Sequence, residues 1–297
     1  MLVLVNAMWA AQYPAYKTAT SRAGPVALSL WTFLIAALVL APFFLRERRS
    51  RAPRTSRFEW RGFLFLAALG LIPGSAVLAW GTKLSTASNA ALLYLTLPVI
   101  TAVMAVTLLG ERMTLVRWGS LALALVGVLI VSGPDWHHAN LHSMKFLGGN
   151  LIILVAITGS AFYNVYSKRL LGRFTPLEVL VFGYMLAAGL CLPLVLGMEP
   201  SALAATRLYT FGVWVSLMVL SVFSWGLAMV LWMYLLRRLD VSQASVSIYL
   251  LPLLGVLFSA VLLKERITAA MLVGGLLTLA GTVLITSADT EVGEVGK

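Results

Sequence analysis

The chain has 297 residues, 60% of them hydrophobic and 11% charged, with a mean hydropathy of +0.93. That composition excludes a soluble globular domain carrying a single anchor and indicates an integral membrane protein. A net charge of +11 would suggest a nucleic-acid partner in a soluble protein; here the charge falls in connectors, and no nucleic acid is expected.

Apolar runs of about 17–29 residues lie near 1–18, 25–45, 62–82, 86–109, 115–133, 147–168, 176–197, 208–236, 241–262 and 268–287. Each is long enough for a hydrocarbon core of about 30 Å. Runs such as SLALALVGVLIVS (120–132) are continuously apolar, which indicates helices and not the alternating strands of a barrel. The predicted fold is all-α and integral to the membrane, with ten transmembrane helices joined by short connectors.

The first run contains VNAMWAAQYPAYK (5–17), in which Asn6, Trp9, Tyr13, Tyr16 and Lys17 fall within about 100° of one helix face. Tyr16 and Lys17, near the end of the run, read as an interfacial aromatic and a snorkelling cation. Asn6 and Trp9 lie deeper, where an Asn facing lipid is costly, so this face is expected to look at solute. The third run offers Trp80, and the fourth Asn89, Tyr94 and Thr96. Asn89 reads equally well as a helix cap. The sixth run, ITGSAFYNVYSK (157–168), repeats the polar stripe with Ser160, Tyr163, Asn164, Ser167 and Lys168. TPLE (175–178) reads as a capping box with Pro at the first helical position. In the eighth run Trp214, Ser221, Trp225 and Trp232 share one face. Trp214 and Trp232 are expected in the aromatic belt; Trp225, beside Ser221 and Ser224 near mid-membrane, serves either packing or a cavity. The ninth run adds Ser242, Ser245 and Tyr249.

Gly70-x3-Gly74, Gly274 and Gly275 suit close helix packing. Glu111-Arg112 and Glu265-Arg266 precede Thr114 and Thr268 at helix ends and read as local pairing and capping. His137, His138 and His142 read as a solvated loop, so no metal site is assigned. The lone Cys191 excludes a disulfide framework. The first run shows neither a basic leader nor a convincing cleavage site, so no cleavable signal peptide is expected.

The loop 46–61 holds seven of the 22 basic residues. With the first residue inside, inner connectors and tail carry 15 and outer connectors seven, which predicts cytoplasmic termini in a cell (inner) membrane. The loop could also meet anionic lipid headgroups as a secondary role. LYLTLPVITAVMAVTLLGERMT (93–114) resembles SIYLLPLLGVLFSAVLLKERIT (247–268). An offset of 154 pairs Pro98 with Pro252, Glu111 with Glu265, Arg112 with Arg266, Thr114 with Thr268 and Gly127 with Gly281. Nearer the start, an offset of 151 pairs Lys17 with Lys168, Pro25 with Pro176 and Pro42 with Pro193. Residues 1–135 and 146–288 therefore read as two five-helix units, followed by a short cytoplasmic tail, 289–297. Because five is odd, the second unit is inverted, a pattern typical of transporters that rock about a central site.

Five-plus-five helices, Trp9-x7-Lys17, and the Pro-x12-Glu-Arg-x-Thr segment at 98–114, matched at 252–268, resemble the EamA-type members of the drug/metabolite transporter superfamily. The resemblance spans nearly the whole chain; the doubled Pro…Glu-Arg…Thr segment carries most of it. It implies a cavity between the repeats, and relatives that export amino acids, including aromatic ones, or carry nucleotide sugars and sugar phosphates. The sequence departs from the pattern at Ser160, where a second Trp would stand, and at Lys264, opposite Gly110.

The runs contain no carboxylate pair, metal-ligand set, Ser/His/Asp arrangement or phosphate-binding glycine loop, so no enzyme activity and no cofactor are expected. The first run lacks the acid of proton-exchanging small multidrug exporters, and a gradient-driven facilitator is at least as well supported. The sequence thus predicts a transporter moving a small metabolite, an amino acid or relative, by alternating access. The expected substrate-binding residues are Asn6, Trp9, Tyr13, Trp80, Asn89, Tyr94, Tyr163, Asn164, Trp225, Ser245 and Tyr249. Its partners would be a small-molecule substrate and the lipid bilayer, the protein being a monomer or homodimer. The alternative is a carrier of an anionic solute, for which Lys17 and Lys168 are the available cations; a non-transport membrane protein fits least.

Overall fold

The computed structural model describes residues 1–10, 12–20, 22–50, 60–85, 93–131, 144–251, 254 and 269–287. Among them every regular element is helical. α1 has two segments, Leu2–Ala10 and Gln12–Ala19. α2 is Pro25–Arg49, α3 Trp60–Leu84, α4 Leu97–Leu109 and α5 Leu115–Val131. α6 is Met144–Leu171, α7 Pro176–Met198 and α8 Phe211–Arg238. α9, Val241–Val246, tightens into the 3-10 turn Ser247–Tyr249, and α10 is Ala269–Ser287. α2, α3, α6, α7 and α8 are each long and apolar enough to cross a membrane. Since a helix satisfies its own backbone in lipid, the chain is a multi-pass membrane protein.

The helix ends follow local chemistry. Thr175 and Glu178 form the expected capping box on α7, with the Glu178 amide donating to the Thr175 hydroxyl at 3.1 Å. α2 has Gly24 at its N-cap and no side-chain cap of its own. The Glu199 carboxylate, arriving from the end of α7, accepts from the Val26 and Ala27 amides at 3.2 and 3.0 Å, where a helix dipole favours negative charge. Gly110, at φ +70°, ends α4 in the left-handed conformation open to glycine. Thr114 then caps α5, accepting from the Arg117 amide at 3.2 Å.

Small residues set the closest packing. A Cβ on Gly70 or Gly74 would meet Tyr163 or Ser160 of α6 at 3.0 or 2.8 Å, so the Gly70-x3-Gly74 pair serves the α3–α6 contact. Gly127 of α5 touches the backbone of α10, and Gly281 of α10 that of α5, so that an added Cβ would lie 2.5 and 2.7 Å from main-chain atoms. α3 and α8 each contain widened π turns, at Leu66–Leu71 and Pro73–Val77 in one and Val219–Ala228 in the other. Helical periodicity did not anticipate them.

The contacts divide the helices in a way that chain order does not. α6 lies along α3 and α4, whereas α1 lies along α8 and meets the 3-10 turn Ser247–Tyr249; the start of α9 packs on α4, α2 pairs with α7, and α5 with α10. The ends of α2, α6 and α8, with Arg46, Arg48, Arg49, Lys168, Arg169, Arg237 and Arg238, share one end of the molecule with the start of α9. This is the basic end.

Candidate functional site

Between α1 and α8 on one side and α3, α4 and α6 on the other runs a seam of aromatic and uncharged polar side chains. Nearest the basic end, fully buried Asn6 donates through Nδ2 to the Leu2 carbonyl at 2.9 Å and to Ser247 Oγ at 3.2 Å. Its Oδ1 is buried and has no protein partner among the described residues. One turn on, the half-buried Trp9 ring lies 5.1 Å from that of Trp232, tilted by 59°. Trp232 Nε1 donates to Asn164 Oδ1 across the seam at 3.3 Å, so α1, α6 and α8 meet in a single cluster.

At mid-seam Trp225 Nε1 donates to the Tyr16 hydroxyl at 3.1 Å. The Tyr184 hydroxyl donates to the Trp225 carbonyl at 2.6 Å, and Phe33 packs edge-on against the Trp225 ring at 5.1 Å. The Tyr94 hydroxyl donates to Ser160 Oγ at 3.3 Å. The phenols of Tyr16 and Tyr94 lie within electrostatic reach of each other, as do those of Tyr163 and Tyr184. Four phenols and an indole thus converge where α1, α4, α6, α7 and α8 meet, and none of these groups is charged at neutral pH. Rings supply apolar contact area and their polar tips supply orientation, the composition of a small-molecule site.

The structure brings together Asn6, Trp9 and Asn164 in the first cluster, and Tyr94, Tyr163 and Trp225 in the second. It does not bring Trp80 there; that ring is 45% exposed on the surface of α3. Tyr249 is buried in a separate cluster with Leu121, Ala124 and Ile285, and Ser245 is buried with its hydroxyl on the Ser242 carbonyl at 2.9 Å. Asn89 and the Tyr13 and Lys17 side chains lie outside the described residues.

Two belt assignments are corrected. Tyr16 is no interfacial aromatic, because its hydroxyl points inward to Trp225. Trp232 is fully buried and not at an interface; its place on the Trp225 face was the signal, and its position near the helix end misled. Trp214 is 39% exposed against Tyr209, as a belt residue would be. Phe33 and Tyr184 stand in otherwise uniform apolar runs, where no local pattern singles them out.

The basic end carries its own polar network. Lys168 Nζ donates to the Leu236 and Leu239 carbonyls at 2.5 and 2.6 Å, completing the end of α8. Glu111 reaches α9 rather than a local partner, accepting from the Val241 amide at 2.7 Å, the Ser242 amide at 3.1 Å and the Ser242 hydroxyl at 2.6 Å. Beside it Arg117 pairs with Asp240 at 2.8 Å. No cluster of metal-binding side chains occurs among the described residues.

The model of the EamA-like transporter family matches residues 1–133 and again 147–287. The chain is 28% identical over 292 residues to a probable terminal-alkyne amino-acid exporter of Streptantibioticus cattleyicolor, covering 96% of this chain and 91% of that one. It is 23% identical to the uncharacterized transporter YoaV of Bacillus subtilis, over 94% of this chain and 93% of the relative. A crystal structure with 21% sequence identity superimposes with a TM-score of 0.77 over 96% of this chain and 95% of the other, which supports the fold. A matching family model over nearly the whole length, on a multi-pass helical protein, makes this chain a transporter and not an enzyme: it belongs to the EamA-like transporter family.

Proposed function

We propose that the chain exports a small, partly apolar metabolite, an amino acid or a close relative of one, across the cell membrane by alternating access. In this reading residues 1–135 and 146–288 are inverted five-helix repeats, the termini are cytoplasmic, and the basic end faces the cytoplasm. The mid-seam cluster carries the proposal: Trp225, Tyr16, Tyr94, Tyr163 and Tyr184 offer ring faces and hydroxyls without a fixed charge. Such a site suits a neutral or zwitterionic solute with an apolar side chain. Engagement of Lys168 with the α8 carbonyls argues against an anionic solute, which would need that cation. The two matched blocks support the duplication, and the likeness to a probable terminal-alkyne amino-acid exporter supports the solute class.

A thermal-shift screen on purified protein tests the solute class. A ligand of the folded state stabilises it by about 2.7 kcal/mol at 100 times its Kd, so neutral apolar amino acids should raise Tm in a saturable way. Glucose 6-phosphate and UDP-glucose should leave it unchanged. Stabilisation by those anions alone would favour the anionic-solute reading.

A further inference from the structure

The described hydrogen bonds that join α4 and α6 to α8 and α9 lie toward the basic end. Asn164 receives Trp232, Lys168 holds the α8 terminus, and Glu111 holds the first turn of α9. Glu111 is the most concentrated of these. A single carboxylate accepts three hydrogen bonds of 2.6–3.1 Å from two residues, and hydrogen bonds to an ionised acceptor are roughly twice as strong as neutral ones.

Its attachment differs from that of Glu199. Glu199 caps α2 from the end of α7, and those helices pack along their lengths; that cap has little freedom to open. Glu111 sits in the non-helical stretch after left-handed Gly110 and is itself part-exposed. When α4 and α9 separate, its carboxylate and the α9 amides can both pass into water, so release leaves no charge buried.

We propose that Glu111 is the latch of a gate at the basic end: its carboxylate on Val241 and Ser242 holds α4 to α9 in the closed state and releases when that end opens. The proposal rests on the alternating-access reading but not on the identity of the solute.

Thiol accessibility tests it. In a Cys191→Ala background, which removes the lone native cysteine, a reporter cysteine is placed at Ser245 of α9 or at Ser167 of α6, both fully buried. Membrane-impermeant maleimide is added to vesicles of either orientation. Glu111→Gln should speed labelling of both reporters from the basic side about tenfold, and Ser242→Ala, which removes one of three bonds, about threefold. Glu178→Gln, at the same end but within α7, should change neither. Faster labelling at Ser245→Cys alone means local fraying of α9 and overturns the latch, as does unchanged labelling in Glu111→Gln. Should that variant fail to reach the membrane, Ser242→Ala decides by the same readings. Labelling needs no solute, so a latch that responds as stated, in a protein that moves no amino acid, would retire the solute class and leave the latch standing.

Discussion

Trp9 and Trp232 touch, yet their burial assigns them different work. Trp232 is fully buried and hydrogen-bonded to Asn164, whereas Trp9 keeps part of its ring exposed. Removing a buried Trp leaves a cavity costing roughly 3–5 kcal/mol in a soluble core, while an aromatic pair contributes about 0.5–1.5 kcal/mol beyond its area. Trp232→Ala should therefore lower Tm and activity together. Trp9→Ala should cut transport at least tenfold with Tm nearly unchanged, as checked by flux and melting on the same preparations; normal transport by a folded Trp9→Ala protein would remove this face from the site. A second residue-scale prediction concerns Gly24, where an added Cβ would collide with the Glu199 carboxylate. Gly24→Ala should displace that cap and cost about 0.5–2 kcal/mol. Glu199→Gln should cost a similar amount, and the double variant little more than either alone, as measured by denaturation in detergent. The Asn6–Trp9 stripe was legible because an Asn and a Trp at mid-helix have few reasons to face lipid. Trp232 and Tyr16 were misread because nearness to a helix end cannot distinguish an inward ring from one at the interface, and Glu111 because its partner lies 130 positions away.

Among the elements, α5 and α10 make the most extensive contact, and its centre is a pair of glycines that the sequence aligns at an offset of 154. Gly127 and Gly281 each lie against the partner's backbone, where only a missing side chain permits such approach. Gly127→Leu or Gly281→Leu should lower stability by at least about 1–3 kcal/mol, the usual cost of overpacking. Gly119→Ala on the same helix, whose added Cβ meets nothing within 4 Å, should be close to neutral; equal melting temperatures for all three would contradict the assigned packing. Run length and hydropathy made the positions of the long helices legible, and TPLE gave the start of α7. The π turns of α3 and α8 were not legible, since a widened turn keeps the same apolar composition and depends on what packs against it.

For the whole molecule, sequence symmetry and spatial grouping are distinct. The proposed repeat rests on matched prolines and the Glu-Arg pair, but the packing of α6 beside α3 and α4, and of α1 beside α8, is a tertiary fact that no local pattern encodes. The proposed topology has a direct check: tags at the C-terminus and within 46–61 should report cytoplasm, and a tag at 136–143 the outside. Tags in 46–61 and 136–143 reporting the same side would remove the inverted five-helix unit. The central claim, export of a neutral apolar metabolite through the aromatic seam, is tested most directly by counterflow in proteoliposomes loaded with unlabelled amino acids and supplied with the same amino acids in labelled form. The account predicts saturable uptake of at least one neutral apolar amino acid, abolished by Trp9→Ala and not competed by sugar phosphates. Counterflow of a sugar phosphate or nucleotide sugar with none for any amino acid would contradict it.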